Sequence, residues 1–244
     1  VLAWTSLRAG SNFSDEKRLG AGTNGVGSAL TNIFSTSFVG KTCDGTKGIV
    51  VRCFDNMSTI THTKIDWKIR GTTVEFIPDL EKFGLTEFTQ DHIDVLRDRI
   101  SNLSIMYPTI NFTFCKQQIK FKNIKQVAKN FHPSSVSYEE KNISMVFAPS
   151  GEDEEFRCLS YLNGIYIKNG GTHVDYVIDK VITNLREVIQ KKHKINVLPN
   201  QIKQHLLFAS WISNFNGPKF DSQTKERLTN SQAEVSAFLG HIDF

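Results

Sequence analysis

The sequence contains few cysteines and no long hydrophobic run. Its four cysteines form no CxxC pair; they are Cys43, Cys53, Cys115 and Cys158. Without paired ligand spacing, no structural metal site is indicated. The wide scatter of the thiols predicts that they are reduced and that the protein is intracellular. No apolar run approaches the roughly 18 residues of a membrane-spanning helix, so no membrane partner is expected.

The two ends of the sequence also lack familiar features. Val1-Leu2-Ala3-Trp4 has no initiator methionine, and no basic segment or cleavage site of a signal peptide follows it. Residues 238–244 show no stop signal. We therefore expect both ends to be cuts through a longer protein.

A large excess of charge of one sign is missing as well. The net charge is +4, with 22% charged and 39% hydrophobic residues, which is ordinary for a globular protein and argues against disorder. The 244 residues suffice for one large domain or two modest ones. The mild basic excess allows DNA contact through a local patch but does not require it.

Hydrophobic patterning predicts a mixture of strands and helices. The strand-like segments are residues 48–54, 59–67, 72–77, 110–114, 118–121, 143–148, 156–162 and 203–214, and the first three indicate an antiparallel sheet. The helix-like segments are residues 28–34, 90–103 and 123–131 and a long helix from Thr172. Thr172 followed by Asp175 predicts a variant capping box. An apolar stripe from Val174 to Ile189 follows, and an exposed loop is expected at Gly217-Pro218.

A glycine-rich segment, Gly22-Thr23-Asn24-Gly25-Val26-Gly27-Ser28-Ala29, leads into a predicted helix. Glycines let a backbone approach phosphate groups closely, and a helix N-terminus favours anions. The spacing matches neither a P-loop nor a dinucleotide-binding fingerprint. A phosphate-binding turn and an ordinary surface turn both explain this segment.

Two further motifs lie in the second half of the chain. In Gln223-Thr224-Lys225, the amide and the ammonium could hold a terminal phosphate; a solvated surface triplet is the alternative. Gly170-Gly171-Thr172-His173 reads as a turn before a helix, with His173 as a structural histidine because no acidic or cysteine partners accompany it.

Taken in order, these motifs resemble the ATPase region of type II DNA topoisomerases, particularly the eukaryotic and large-phage branch. The matching segments are Gly10-Ser11-Asn12-Phe13, Gly22 to Ser35, Gly71 to Asp79, Gly170 to Tyr176 and Phe220 to Glu226. Each motif is weak alone, but the ordered set is specific and covers almost the whole chain.

The resemblance implies an α+β fold. Residues 1–135 would form the C-terminal part of a GHKL α/β sandwich, and residues 136–244 a truncated transducer domain with a βαβ crossover helix. It implies ATP and Mg²⁺ as cofactors, and an ATP molecule that bridges the two domains. The implied ATP-binding residues are Gly10, Ser11, Asn12, Gly22, Thr23, Asn24, Gly25, Val26, Gly27, Ser28, Ala29, Gln223, Thr224 and Lys225.

The resemblance also implies double-stranded DNA as partner, a homodimer through the ATPase gate, and other topoisomerase subunits where the gene is split. In this family the glycine-rich segment, here Gly22 to Ala29, is called the lid. The family's catalytic Glu and Mg²⁺-binding Asn lie upstream of the lid, and nothing here matches them. The sequence departs from the eukaryotic pattern at Gly10, Thr23 and Ala29, where Ser, Arg and Lys are usual, so the lid carries less positive charge.

Three other interpretations remain open. The parent protein could be another GHKL ATPase, either a gyrase-type subunit or a mismatch-repair enzyme. The segment could also act only as a non-hydrolysing interaction module.

Separately, the basic stretch from Lys191 to Lys194 could contact DNA phosphates, or could simply be the charge that favours a helix C-terminus.

Overall fold

The computed structural model describes residues 1–10, 22, 24–151 and 155–243. The described residues form two compact units, the first ending at Ile93 and the second beginning at Asp94. Residues 94–135 therefore belong to the same compact unit as residues 136–243. The division into a GHKL domain (1–135) and a transducer domain (136–244) stays a prediction.

The first unit is built on a four-stranded antiparallel sheet. Its elements are helices α1 (Leu2–Thr5) and α2 (Gly27–Ile33), strands β1 (Ser35–Cys43), β2 (Gly48–Phe54), β3 (Thr59–Ile65) and β4 (Gly71–Pro78), and a 3₁₀ helix at Leu80–Phe83. The strand order is β3-β2-β1-β4. Strand β1 is central, and the sequence patterning missed it.

A tryptophan from the first helix packs on this sheet. Phe38 and Gly40 on β1 lie opposite Cys53 and Val51 on β2, and Phe38 lies 6.1 Å from Trp4 between ring centroids. A Cβ atom on Gly40 would lie 2.6 Å from the Trp4 ring. Glycine is therefore required at this position for the indole to reach the sheet.

The second unit is built on a five-stranded mixed sheet. Its elements are α3 (Gln90–Met106, which begins in the first unit), β5 (Phe112–Phe114), β6 (Gln117–Ile119), α4 (Ile124–Phe131), β7 (Val136–Glu140), β8 (Ile143–Pro149), β9 (Arg157–Leu162), β10 (Ile165–Tyr166), α5 (Thr172–His193), α6 (Pro199–Lys203), β11 (Leu206–Ile212) and α7 (Gln232–Leu239). The sheet order is β10-β9-β11-β8-β7. Strands β9 and β11 are parallel, and α5 joins them as the predicted βαβ crossover.

The two faces of this sheet carry separate cores, because alternate residues of a strand point to opposite faces. Met145 and Phe208 belong to the larger core, which contains α5 and α7. Their neighbours Val146 and Ala209 belong to the core that contains α3 and α4. The second unit therefore has helices on both faces of its sheet.

Several local predictions were wrong. Gly171, not Thr172, is the N-cap of α5, and it makes no side-chain cap bond, so the capping box from Thr172 to Asp175 is absent. The predicted strand 203–214 is shorter because α6 precedes it. Pro218 is buried rather than exposed. Val188, near the end of the predicted apolar stripe, is 45% exposed.

Candidate functional site

The described part of the glycine-rich lid consists of Gly22 and residues 24–29. Gly25 has a φ of 60°, and a Cβ atom there would lie 3.1 Å from the backbone of Ala9 and Gly10. The fold thus places Gly25 of the lid against Gly10, the first residue of the other predicted nucleotide-contacting segment. A Cβ atom on Gly22 or Gly27 would meet nothing within 4 Å, so their backbone is open to approach.

The side chains of the lid contribute less than its backbone. Ala29 is fully buried, and the Ser28 hydroxyl donates to the Ala3 carbonyl. The first intrahelical bond of α2 runs from Leu30 N to Val26 O at 2.9 Å. The N–H groups of residues 27–29 therefore precede the helical bonding pattern. The predicted site residues Ser11, Asn12 and Thr23 lie outside the described residues.

A strained turn fixes the far end of the lid helix, which the sequence reading did not find. Asp55, Asn56 and Met57 all have positive φ, between 52° and 68°. The Asn56 amide donates to Ile33 O and to Asp79 Oδ2, both at 3.0 Å. The end of α2 is thereby tied to the end of β4. The role of Asn56 depends on contacts with residues that are distant in the sequence, so no local sequence pattern predicts it.

In the second unit, the segment 219–229 forms a closed loop, called here the sensor loop. Its two arms are joined by a hydrogen bond from Thr229 N to Lys219 O at 2.9 Å and one from Asp221 N to Arg227 O at 3.3 Å. Leu228 is fully buried and anchors the returning arm. The predicted triplet Gln223-Thr224-Lys225 lies at the tip of this loop.

The sensor loop is bonded to the turn that opens α5. Asn169 N donates to Glu226 O at 2.8 Å, Leu228 N donates to Gly170 O at 3.0 Å, and Thr172 N donates to Leu228 O at 3.2 Å. A Cβ atom on Gly171 would lie 2.2 Å from the Leu228 carbonyl oxygen. Gly171 therefore allows a backbone approach that any residue with a Cβ atom would block. The structure brings both second-unit motifs together.

Charged side chains reinforce this connection. Arg227 lies 3.5 Å from Asp175 on the first turn of α5, and its guanidinium donates to Asn169 O at 3.3 Å. Asn169 also donates to the Glu226 carboxylate at 3.2 Å. Arg227 was not among the predicted site residues, and its role becomes visible only when the two segments meet.

At the tip, Gln223 and Thr224 are exposed and Lys225 is half-buried. Lys225 adopts a left-handed φ of 60°, and its N–H donates to Ser222 O at 3.2 Å. The Ser222 and Thr224 hydroxyls lie 2.9 Å apart. The tip is a structured turn in which Gln223 and Thr224 are exposed.

His173 is a buried residue behind the sensor loop. Its Nε2 lies 2.7 Å from Ser160 Oγ on β9, and the Ser210 hydroxyl on β11 donates to Ser160 Oγ at 3.1 Å. Complete burial lowers the pKa of His173 to about 3. The imidazole is therefore neutral and structural, as predicted, and it ties the start of α5 to two parallel strands.

The described residues fit a phosphate ligand better than a metal ion. The open backbone at Gly22 and Gly27 is a surface that an anion can approach closely. In residues 1–10, 22, 24–151 and 155–243, no group of three or more His, Cys, Asp and Glu side chains could hold a metal ion. We assign no residue of this chain to Mg²⁺.

The family model described as DNA gyrase B matches residues 106–239, from the last turn of α3 to the end of α7. The match covers more than half of the chain. The chain belongs to the DNA gyrase B family of type II topoisomerases. The resemblance to type II DNA topoisomerases, which the motifs indicated, is thus confirmed.

Relatives of this family match nearly the whole chain. The DNA topoisomerase large subunit of Enterobacteria phage T4 is 39% identical over 240 residues, which are 98% of this chain and 46% of that protein. DNA topoisomerase 2 of Saccharomyces cerevisiae is 32% identical over 250 residues, covering 91% of this chain and 17% of that protein. The chain thus spans less than half the length of these relatives.

Solved structures of the family confirm the fold. The ATPase region of Saccharomyces cerevisiae topoisomerase II superposes with a TM-score of 0.82 at 28% identity, over 98% of this chain and 67% of that one. The ATPase and transducer domains of topoisomerase II from Balamuthia mandrillaris give a TM-score of 0.85 at 26% identity, over 96% and 63%. The predicted α+β fold, a partial ATPase sandwich followed by a transducer, is confirmed.

Of the helices in the described residues, none has both the length and the apolar character needed to cross a membrane.

Proposed function

We propose that this chain is the ATP-binding clamp segment of a type II DNA topoisomerase, which couples ATP binding and hydrolysis to gate closure and DNA strand passage. The observation that carries the proposal is the set of three backbone hydrogen bonds between the sensor loop and the turn that opens α5. A contact made at Lys225 can thereby act on the crossover helix. The similarity to topoisomerase II ATPase regions supports the same function.

The nucleotide contacts that we propose come from the lid backbone and the sensor-loop side chains. The residues are Gly10, Ser11, Asn12, Gly22 to Ala29, Gln223, Thr224 and Lys225. The lid N–H groups would donate to phosphate oxygens, since the glycines leave their backbone open. Gln223 would donate an amide N–H and Lys225 an ammonium N–H to the terminal phosphate.

ATP, when bound, supplies the γ-phosphate that hydrolysis removes. Phosphoryl transfer depends mainly on positioning and electrostatics, and Lys225 would donate to the terminal phosphate only while that group is present. The sensor loop would thus report the state of the nucleotide. We assign no water-orienting Glu to this chain, and Mg²⁺ is proposed as a cofactor of the whole protein.

The proposed partners follow from the same role. They are double-stranded DNA, a second copy of the protein at the ATPase gate and, where the gene is split, other topoisomerase subunits. We propose an intracellular location. Within the family, the phage and eukaryotic type is better supported than a gyrase-type subunit, because the T4 and yeast topoisomerases match nearly the whole chain. A mismatch-repair ATPase and a non-hydrolysing module are less well supported for the same reason.

The test is Lys225→Ala in the full-length protein. A hydrogen bond to a charged group contributes about 1.5–3 kcal/mol, so ATP-dependent strand passage should fall about 10- to 100-fold. Relaxation or decatenation of DNA gives the strand-passage rate, and phosphate release gives the ATPase rate.

Two variants control this experiment. Lys225→Arg keeps the positive charge and should retain much of the activity. Lys168→Ala removes an exposed lysine from the same unit and should have little effect. Unchanged ATP-dependent strand passage in Lys225→Ala would refute the proposal. A full-length protein that does not hydrolyse ATP would instead support the non-hydrolysing module.

A further inference from the structure

One segment outside the nucleotide-binding motifs carries cations without any acidic residue. Between Arg99 and Tyr138 the sequence has six cations, namely Arg99, Lys116, Lys120, Lys122, Lys125 and Lys129, and no Asp or Glu. The whole chain has a net charge of +4, so the remaining residues sum to −2. The basic character of the protein thus comes from this stretch.

The fold places the five lysines on the hairpin β5–β6 and on α4. Lys116 lies in the two-residue hairpin turn, where Cys115 and Lys116 have φ values of 48° and 65°. Lys120 and Lys122 follow β6, and Lys125 and Lys129 lie one turn apart on α4. All five side chains are exposed. We call this set the lysine surface.

The outward face of α4 makes the lysine surface continuous. Ile124 and Ala128 are buried against the second sheet, so Lys125, Lys129, Gln126 and Asn130 face away from it by the 3.6-residue period of the helix. Gln126 and Asn130 line a groove of about 550 Å³ together with Lys120 and Lys122. Ammonium and amide donors therefore follow one another across this surface.

Acidic groups do not neutralise it. Within residues 94–151 and 155–243, no ion pair involves a lysine of this surface. The carboxylate that lines the groove, Asp98, accepts a hydrogen bond at 3.0 Å from Asn102, and Asn102 in turn accepts from Trp211 Nε1 at 2.8 Å. The polar groups of Asp98 and Asn102 are thus hydrogen-bonded within the protein, and the lysine ammonium groups are exposed to solvent.

We propose that the lysine surface binds the phosphate backbone of duplex DNA. Lysine, asparagine and glutamine are side chains that contact DNA phosphates without reading sequence. Lys125 and Lys129 are about 6 Å apart along the helix axis, which is comparable with two phosphate steps of about 3.4 Å along one strand.

The chemistry of the surface favours duplex DNA over two other polyanions. Single-stranded nucleic acid is held by exposed aromatic rings on which bases stack. Phe121 and Phe131 also line the groove, but both rings are half-buried and pack against the core that contains α3 and α4. An anionic membrane needs an amphipathic helix with exposed apolar residues, whereas Ile124 and Ala128 of α4 are buried. The exposed lysines therefore favour contact with the phosphates of duplex DNA.

Lysine footprinting on the full-length wild-type protein tests the proposal directly. An amine-acetylating reagent is applied with and without a linear duplex DNA, in the absence of nucleotide, and each lysine is quantified by mass spectrometry. We expect DNA to protect Lys120, Lys122, Lys125 and Lys129 but not Lys64 or Lys68, which are exposed in the first unit. Equal modification of the four lysines with and without DNA would overturn the proposal.

A charge-neutralised variant gives the energetic test. Lys120→Gln, Lys122→Gln, Lys125→Gln and Lys129→Gln are combined and compared with a control that removes the same charge at Lys64, Lys68, Lys82 and Lys141. Each lost phosphate contact lowers the salt-dependence slope of log K by about 0.9, so the test variant should bind duplex DNA about 10- to 1,000-fold more weakly at about 0.1 M salt. Unfolding curves check that both variants fold.

The outcomes separate this proposal from the clamp function. The binding assays contain no ATP, so a failure of the lid or of Lys225 does not affect them. An unchanged slope in the test variant, or an equal loss in the control variant, would refute duplex binding at this surface. Loss of binding to single-stranded DNA or to anionic vesicles alone, with duplex binding intact, would refute it too.

Discussion

Replacing Gly171 with alanine should separate the sensor loop from the start of α5. Gly171 has a φ of 128° and a ψ of −165°, a region that is essentially restricted to glycine. An alanine Cβ atom would lie 2.2 Å from the Leu228 carbonyl oxygen and 2.7 Å from its amide nitrogen. Because both atoms belong to the backbone, the two segments must move apart.

The size of the effect follows from the contacts that would be lost. A residue forced into such a backbone conformation costs about 1–3 kcal/mol. The bonds from Thr172 N to Leu228 O and from Leu228 N to Gly170 O contribute about 0.5–1.5 kcal/mol each. We therefore expect Gly171→Ala to lower the free energy of unfolding by about 2–6 kcal/mol, a large part of the 5–15 kcal/mol of a typical domain.

Denaturant unfolding followed by circular dichroism measures this change, and the neighbouring glycine provides the control. Gly170 also has a positive φ, 62°, but a Cβ atom there would lie 3.4 Å from the nearest Val174 methyl, an ordinary contact. Gly170→Ala should therefore cost only the backbone strain, about 1–2 kcal/mol. If the two substitutions cost the same, the close approach to Leu228 does not constrain the loop.

Three further substitutions probe the surrounding structure. The folded-state pKa of His173 is lowered from 6.5 to about 3, so the unfolded chain binds the proton first and stability falls as the pH drops below 6.5. The free energy of unfolding should therefore decrease by about 2 kcal/mol between pH 7 and pH 5, and His173→Gln should abolish this decrease. Ser231 accepts from Glu234 N at 3.3 Å as the N-cap of α7, so Ser231→Ala should lower the unfolding free energy by about 1 kcal/mol. Gly40→Ala would collide with Trp4 and should cost about 1–3 kcal/mol, less in a Trp4→Ala background; full additivity in that double-mutant cycle would contradict the packing.

The elements that the sequence predicted well are those whose periodicity is local. Strand β2, with four buried residues in seven, and helix α5, with its regularly spaced apolar residues, were both readable. The capping box of α7, Ser231 with Glu234, is a local signal as well, although α7 was not predicted. Local patterns therefore predicted the crossover but not every helix that packs near it.

Strand β1 could not be read in the same way. Its residues are small or polar around Phe38, and the segment resembles the loop chemistry that precedes it. Gly40 is buried because Trp4 covers it, and Trp4 lies far away in the sequence. Pairing on both sides, with β2 and β4, stabilises the strand. Long-range contacts of this kind override weak local propensity.

The candidate site shows the same limit at a larger separation. The sequence predicted Gly170-Gly171 and Gln223 to Lys225 as separate motifs, and only the family resemblance related them. The hydrogen bonds that join them span more than fifty residues. Arg227, which bridges to Asp175, has no local signal that distinguishes it from a solvated cation.

These bonds also determine how a contact at Lys225 would be transmitted. Peeling the sensor loop from α5 would break three backbone hydrogen bonds, about 1.5–4.5 kcal/mol in all, and the surface pair of Arg227 with Asp175, which adds up to about 1 kcal/mol. A charged hydrogen bond from Lys225 to a phosphate contributes about 1.5–3 kcal/mol. Because that contact is no stronger than the attachment, a pull at Lys225 should move the loop together with α5. His173 lies at the start of α5 and is bonded to β9, so the displacement would reach the parallel strands of the second sheet.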